Sequence, residues 1–488
     1  MTNQYDTYTS PLAARNASPE MCKIWSPRHK FTTWRKIWLA VAEAQQACGL
    51  NITDEQLDEM RAHLEVTDED MELAAKYERE LRHDVMAHVH AFGDRCPKAR
   101  GIIHLGCTSQ DVVCNGDILA QHAALNLLDK KLHAVVLAIG TVAERTKSIP
   151  TLGFTHYQAA QPVTVGRRLI QYAYELLQSG EELWRMQATS HYLRGMKGAT
   201  GTQASFLALF DGDAKKVSKF EMKFCKLISG GGKFAGAVPH PLTTQTYPRM
   251  MDAKMLASLA LISSVLHKMA TDIRLLSNRK EIDEPFGKNQ IGSSAMPYKR
   301  NPMKCERICG LTRFVMNLVG NAYDTAATQW LERTLDDSSN RRLSLPESFL
   351  ALDGALDLMH TVASGLIVNE AMVKRNLMAE LPFMATENIM MEAVKLGRDR
   401  QDVHEAIRVH SMAAGQVVKQ EGKDNDLLER LKDEPLLEGI DIDSHLDPMA
   451  YIGRSVEQTE RFIKEVVEPM RERYSDELDS LGSADRGV

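Results

Sequence analysis

Two long apolar seams set the strongest limit on what this chain can fold into. Leu125, Leu128, Leu132, Val135, Ile139 and Val142 recur at alternating steps of three and four, and so do Met255, Leu259, Ile262, Leu266, Met269, Ile273 and Leu276. That spacing keeps one helix face apolar over many turns, as in a heptad seam. No proline lies between Pro162 and Pro239 or between Pro248 and Pro285, so nothing interrupts helices much longer than the globular average. Long seamed helices in one zone predict a bundle, and seams on more than one face fit an oligomer that shares its core. Aromatics are only 6% of residues against 24 methionines, a balance that also favours helices over sheets.

With 488 residues the chain exceeds the size at which one core keeps growing, so several domains are expected. Proline placement and apolar spacing separate an N-terminal helical zone (1–108), a central long-helix zone (109–367) and a C-terminal helical zone (368–488). In the first, Phe31 to Cys48 carries Trp34, Ile37, Trp38 and Val41 at helical spacing, and Thr67 to His90 reads as one charged helix. In the last, helices are expected in shorter pieces, with Gln420 to Asp426 as a turn. The net charge of −6 excludes a generally basic nucleic-acid binder, so an anionic ligand needs a local cluster of cations. The polar N-terminus lacks a signal-peptide core, and no later run of about 18 apolar residues reads as a bilayer span. A cytosolic protein is expected, with neither membrane nor nucleic acid as partner. The cysteines are scattered without a CxxC pair, which favours reduced thiols. The run Ser229 to Phe234, in a glycine-rich stretch from 218 to 241, lacks a Gly-Lys-Ser/Thr ending and reads as a surface loop.

Several segments carry residues suited to chemistry. Gly292 to Pro302 puts Ser293, Ser294, Lys299 and Arg300 on a stretch that glycine loosens and two prolines keep out of a helix, which reads as a mobile loop near 286–303. A serine near a lysine loses its proton more easily than a free one. Gly153 to Pro162 places His156 among hydroxyl and amide side chains just before a long helix. Arg82, His83 and Asp84 open a run with His88 and His90, in which His83 and His90 share a helix face and Asp84 and His88 are i,i+4 neighbours. The spacing matches no standard zinc motif, so no metal is expected. Thr108, Ser109, Gln110 and Asp111 precede the first seamed helix, where they can cap it or hold a carboxylate. From Trp330 to Arg342, Arg333, Arg341 and Arg342 gather with Ser338 and Ser339; this is either a solvated charged face or a site for phosphate.

The loop from Gly292 to Pro302 resembles the GSSxMPxKxNP loop of the fumarase/aspartase superfamily, and Gly153 to Pro162 resembles its GxTHxQxAQP block. The TSxD match at Thr108 and the string from Trp330 to Arg342 are similar to the branch that cleaves adenylosuccinate, and the likeness runs from Ser10 into the C-terminal zone. It implies an all-α, three-domain fold whose long-helix bundles combine in a homotetramer core of about 20 helices, each site being shared among three chains. It further implies elimination of fumarate from adenylosuccinate and from succinylaminoimidazole carboxamide ribonucleotide, with no cofactor. Ser293 would be the base, His156 the acid, Glu306 its orienter, and Lys299 and Asn301 the stabilisers of carboxylate charge. Substrate contacts would come from Arg15, Arg82, His83, Asp84, Thr108, Ser109, Thr155, Gln245 and Met296, with Arg333, Ser338 and Arg342 on the nucleotide phosphate. The resemblance implies an aromatic residue beside the arginine matched by Arg15, where this sequence has Asn16. Argininosuccinate lyase and fumarase are the alternatives within the superfamily, and a non-catalytic helical scaffold is the alternative outside enzymes.

Overall fold

The computed structural model describes residues 6–189, 192–229 and 236–479, and the glycine run at 230–234 lies outside the described residues. The chain is all-α apart from three short strand pairs among those residues. In order, its elements are α1 (Pro19–Ile24), α2 (Pro27–Ala47), α3 (Asp54–Ala62), α4 (Asp68–Leu81), α5 (Asp84–Arg95), α6 (Ser109–Arg145), β1 (Pro150–Thr155), β2 (Gln158–Thr164), α7 (Val165–Thr189), β3 (Tyr192–Leu193), α8 (Ala204–Leu209), α9 (Ala214–Ile228), β4 (Val238–Pro239) and α10 (Met250–Asn278). There follow β5 (Ile282–Asp283), α11 (Met303–Ala327), α12 (Asp336–Ser364), β6 (Ile367–Val368), α13 (Glu370–Lys395), α14 (Arg400–Glu421), α15 (Leu427–Lys432), α16 (Ser455–Phe462) and α17 (Glu468–Asp479).

Both seams lie on single long helices, α6 and α10, and every seam residue is at most 6% exposed. Each such side chain contributes roughly 1.5–3 kcal/mol by leaving water, so the seams hold these helices in the core. By length and mean hydropathy alone, α10 is also apolar enough to cross a membrane. Its seam is buried inside the protein, which accounts for that apolarity.

The chain forms two compact units. The first comprises Met1–Leu132, Gln178–His267 and Ile308–Asp357; the second comprises His133–Leu177, Lys268–Arg307 and Leu358–Val488. In the first, Trp34, Ile37 and Trp38 of α2 pack with Phe92 of α5, Val112 and Ile118 of α6, and Phe206, Phe220 and Phe224 of α8 and α9. Helix α2 starts where Ser26 accepts the N–H of His29 and Pro27 fills the first turn. The charged run from Thr67 to His90 is not one helix. Arg82 takes a left-handed conformation (φ 52°) and the His83 ring accepts the N–H of Met86 at 3.3 Å, which ends α4 and starts α5. Asp84 and His88 keep their i,i+4 relation, whereas His83 sits off the helix and shares no face with His90.

In the second unit, Ala385, Ile389 and Ala393 of α13 pack with Val403 and Ile407 of α14 and Leu427 and Leu431 of α15. Helices α13 and α14, of 26 and 22 residues, are longer than the short pieces expected there, and α13 runs through Pro382. The turn after Glu421 is as read, with Gly422 left-handed at the helix end. Strands β1 and β2 form an antiparallel hairpin beside α13, and β5 pairs with β6.

Candidate active site

The hairpin of the second unit carries His156 at its tip. Thr155 pairs with Gln158, so the turn consists of His156 and Tyr157 alone, both left-handed at φ 53° and 58°. Positive φ at both central residues is the type I′ pattern, which suits Asn and Gly. Placing His and Tyr there costs roughly 1 kcal/mol or more each, a strain of the kind that gathers at functional sites. A bulge between Thr151 and Gly153 bends the strand, and a Cβ on Gly153 would come within 2.3 Å of the Gln161 carbonyl oxygen. The Arg168 guanidinium donates to the Leu152 carbonyl, and that of Arg279 lies 4.9 Å from the centre of the Phe154 ring. His156 and Thr155 are exposed, and Thr155 lines a cavity of about 890 Å3 with Tyr157, Arg167, Arg168 and Lys268.

The loop between β5 and α11 is braced at both ends. The buried Glu284 carboxylate accepts the N–H groups of Lys304 and Cys305, each at 3.0 Å, and so caps the first turn of α11. Within the loop, the Asn301 amide donates to the Gly292 carbonyl at 2.8 Å, and the Lys299 N–H donates to the Met296 carbonyl at 3.0 Å. The Ser293 hydroxyl oxygen accepts the N–H groups of Ala295 at 3.3 Å and Met296 at 3.1 Å. Donors aimed at an oxygen stabilise negative charge on it, the direction in which a serine must be pushed to act as a base. Met296 and Lys299 are exposed on the same loop, and Glu306 is exposed on the first turn of α11. Among the described residues no hydrogen bond or ion pair joins His156 to Ser293 or to Glu306.

The first unit holds a cavity of about 470 Å3 on which Arg333, Ser338 and Arg342 converge. Arg333 donates to the Gln245 side chain at 3.0 Å and pairs with Asp337 at 3.4 Å; with its amide turned to face the guanidinium, Gln110 accepts from Arg333 at 2.9 and 3.1 Å. Arg342 pairs with Asp84 at 2.9 Å, and His83 meets the Ser109 hydroxyl at 3.4 Å. The RHD triplet, the TSQD segment, Gln245 and the arginine segment are therefore linked through these contacts within one unit. Thr108 precedes α6, with its N–H on Asp111 at 2.8 Å. Arg15 is exposed on the single turn Leu12–Asn16 and does not line this cavity, and the Asn16 amide donates to the Pro11 carbonyl. Arg341, counted in the same cationic cluster, is buried against Asp252 at 2.7 Å and Asp117 at 3.0 Å. Gln110, read with its neighbours as a helix cap or carboxylate holder, lines the cavity as well, and so do Lys30 and Arg249, which sequence reasoning passed over. Those two carried no local signal: Lys30 stands among other cations of its segment, and the burial of Arg249 against Asp337 depends on a partner far along the chain.

A long-helix core with a serine-bearing loop and a histidine-tipped hairpin defines a lyase of the fumarase/aspartase type. A family model described as "Lyase" matches residues 14–317. The solved structure of 3-carboxy-cis,cis-muconate lactonizing enzyme from Pseudomonas putida shares the fold, with a TM-score of 0.79 at 23% identity over 96% of this chain and 100% of that one. A second model, "Adenylosuccinate lyase C-terminus", matches residues 382–462. The chain is 49% identical to adenylosuccinate lyase of Schizosaccharomyces pombe over 466 residues, covering 95% of each. It is 46% identical to that of Saccharomyces cerevisiae over 480 residues, covering 97% of this chain and 98% of the other. The chain belongs to the adenylosuccinate lyase family.

Proposed function

We propose that this chain eliminates fumarate from adenylosuccinate, giving AMP, and from succinylaminoimidazole carboxamide ribonucleotide, giving the carboxamide, two steps of purine nucleotide biosynthesis in the cytosol. The observation that carries the reading is the convergence of Arg333, Ser338 and Arg342 on a cavity whose other walls include Trp25 and Phe31. Guanidinium forks and a hydroxyl suit a phosphate, and rings suit the flat part of a nucleotide.

The reaction takes a proton from the carbon beside a carboxylate, breaks the adjacent carbon–nitrogen bond and returns a proton to the leaving nitrogen. Ser293 is the base, favoured by the two N–H groups on its oxygen. His156 is the acid that protonates the leaving nitrogen, and Glu306 orients it and keeps it charged. Lys299 stabilises the charge that builds on the substrate carboxylate. Asn301 holds the loop through Gly292 and keeps a second amide hydrogen for the same carboxylate. Arg15, Arg82, His83, Asp84, Thr108, Ser109, Thr155, Gln245 and Met296 complete the substrate contacts. The chain is arranged as N-terminal (1–108), central (109–367) and C-terminal (368–488) domains in a homotetramer, with residues of three chains in each site. What supports sharing is the lack of any bond from His156 to Ser293 or Glu306 within one chain, among the described residues.

An absorbance assay of the purified protein tests the function. Adenylosuccinate should disappear with release of one fumarate per AMP. Turnover of argininosuccinate or malate with none of adenylosuccinate would reject it.

A further inference from the structure

Charge around the first unit's cavity is unevenly matched. Arg249 pairs with Asp337 at 2.7 Å, Arg333 with the same carboxylate at 3.4 Å, Arg341 with Asp252 and Asp117, and Arg342 with Asp84. Lys30, on the first turns of α2, lines the same cavity, yet among the described residues no carboxylate lies within ion-pair distance of it. Its ammonium rests instead on aromatic faces, 4.8 Å from the centre of the Trp34 ring and 5.2 Å from that of Phe31. His88, stacked on Phe31 at 3.6 Å, adds no charge at neutral pH, because burial holds its pKa at about 4.

We propose that Lys30 binds the phosphate of the nucleotide substrate together with Arg333, Ser338 and Arg342. The assignment rests on the nucleotide reading given above. Asp117, Asp84 and Glu78 act on Lys30 only from beyond ion-pair distance, and a cation stripped of much of its water without a contacting carboxylate is costly to keep and gains most when an anion arrives. Burial lowers the Lys30 pKa, the direction expected of a group in that state. Ring contacts offset only part of the loss, since cation–π pairs are worth about 0.5–2 kcal/mol. A phosphate dianion brings charge enough to engage Lys30 without parting the arginines from their carboxylates. Ser338 sits on the N-terminal turn of α12, the positive end of that helix dipole, which also carries Asp336 and Asp337, the latter already paired with Arg249. The arginines thus supply pre-set geometry and Lys30 supplies the charge that no ion pair holds.

The test compares adenylosuccinate with succinyladenosine, the same molecule without its phosphate. For Lys30→Gln the ratio of kcat/KM for the two should fall about 10- to 100-fold, the range for losing a charge-assisted bond. The fall should appear mainly in KM for adenylosuccinate, and Lys30→Arg should recover most of the ratio. An unchanged ratio overturns the assignment, whether both rates fall together, as for a residue that merely supports the cavity wall, or neither falls. Wild-type protein that turns over neither compound and binds no AMP refutes the lyase reading, and this assignment with it, before any variant is made.

Discussion

Gly292→Ala is the sharpest single test of the loop. An added Cβ would stand 2.1 Å from the Lys299 carbonyl oxygen and 3.1 Å from the Arg300 Cα, both of them backbone that cannot swing aside. Ordinary contact begins near 3.4 Å, so the two limbs must part by about an ångström or more. The bond from Asn301 to the Gly292 carbonyl, 2.8 Å long, lies across the same gap and stretches with it. Ser293 follows directly, and its oxygen depends on the N–H groups of Ala295 and Met296 keeping their places. A displacement of about 1 Å at reacting groups costs on the order of 100-fold in rate, so kcat should drop roughly that far. The melting transition should hardly move, because Ser294 to Arg300 are exposed and outside the core. Gly287→Ala is the control on the same loop: its Cβ would meet the Gln290 side chain at 3.5 Å, an ordinary contact, and turnover should stay within about threefold of wild type. Fumarate release by absorbance and melting by circular dichroism read both variants. A Gly292→Ala protein as active as wild type, or a Gly287→Ala protein equally damaged, would refute the argument.

Three further outcomes are expected. Ser293→Ala should abolish turnover with helicity intact while Ser294→Ala is milder, and the reverse ranking would move the base to Ser294. Mixing Ser293→Ala with His156→Ala protein and allowing subunit exchange should restore about one quarter of wild-type activity by counting independent chain choices; no recovery despite exchange verified by mass would place both residues in one chain's site. Acid should weaken the first unit, because burial holds the His88 and His104 pKa values at about 4 and the His104 ring accepts the Trp38 indole N–H at 3.0 Å. Their folded values lie below the unfolded 6.5, so this stability is complete above pH 6.5 and is lost as pH falls toward 4, by about 2 kcal/mol per histidine at pH 5. His104→Asn, which keeps an acceptor and tolerates the left-handed φ of 68°, should flatten the pH dependence in chemical unfolding; an unchanged slope would count against that source.

The seams on α6 and α10 were legible because burial repeats every turn over long helices and leaves a period in the sequence. The break at Arg82 was not legible, since the flanking residues are good helix formers and the stop depends on a histidine acting as a cap. The hairpin was equally hidden: Gly, Ala and Gln have little strand preference, and its turn lacks the Asn-Gly signature. On the site side, the loop announced itself through glycine, proline and paired hydroxyls. Lys30 could not, because what distinguishes it is the absence of an ion pair, and pairing over long sequence separations is invisible before folding.

The left-handed turn at His156 and Tyr157 also bears on how such a chain changes over generations. While the imidazole is needed at the hairpin tip, selection must tolerate it in a left-handed backbone, and drift of His156 toward Asn or Gly is closed. A descendant retained only as a helical scaffold is released from that demand, and its turn is free to relax to residues that fit. The identity of residue 156 therefore serves as a marker of whether a lineage still depends on its chemistry, readable from the gene alone.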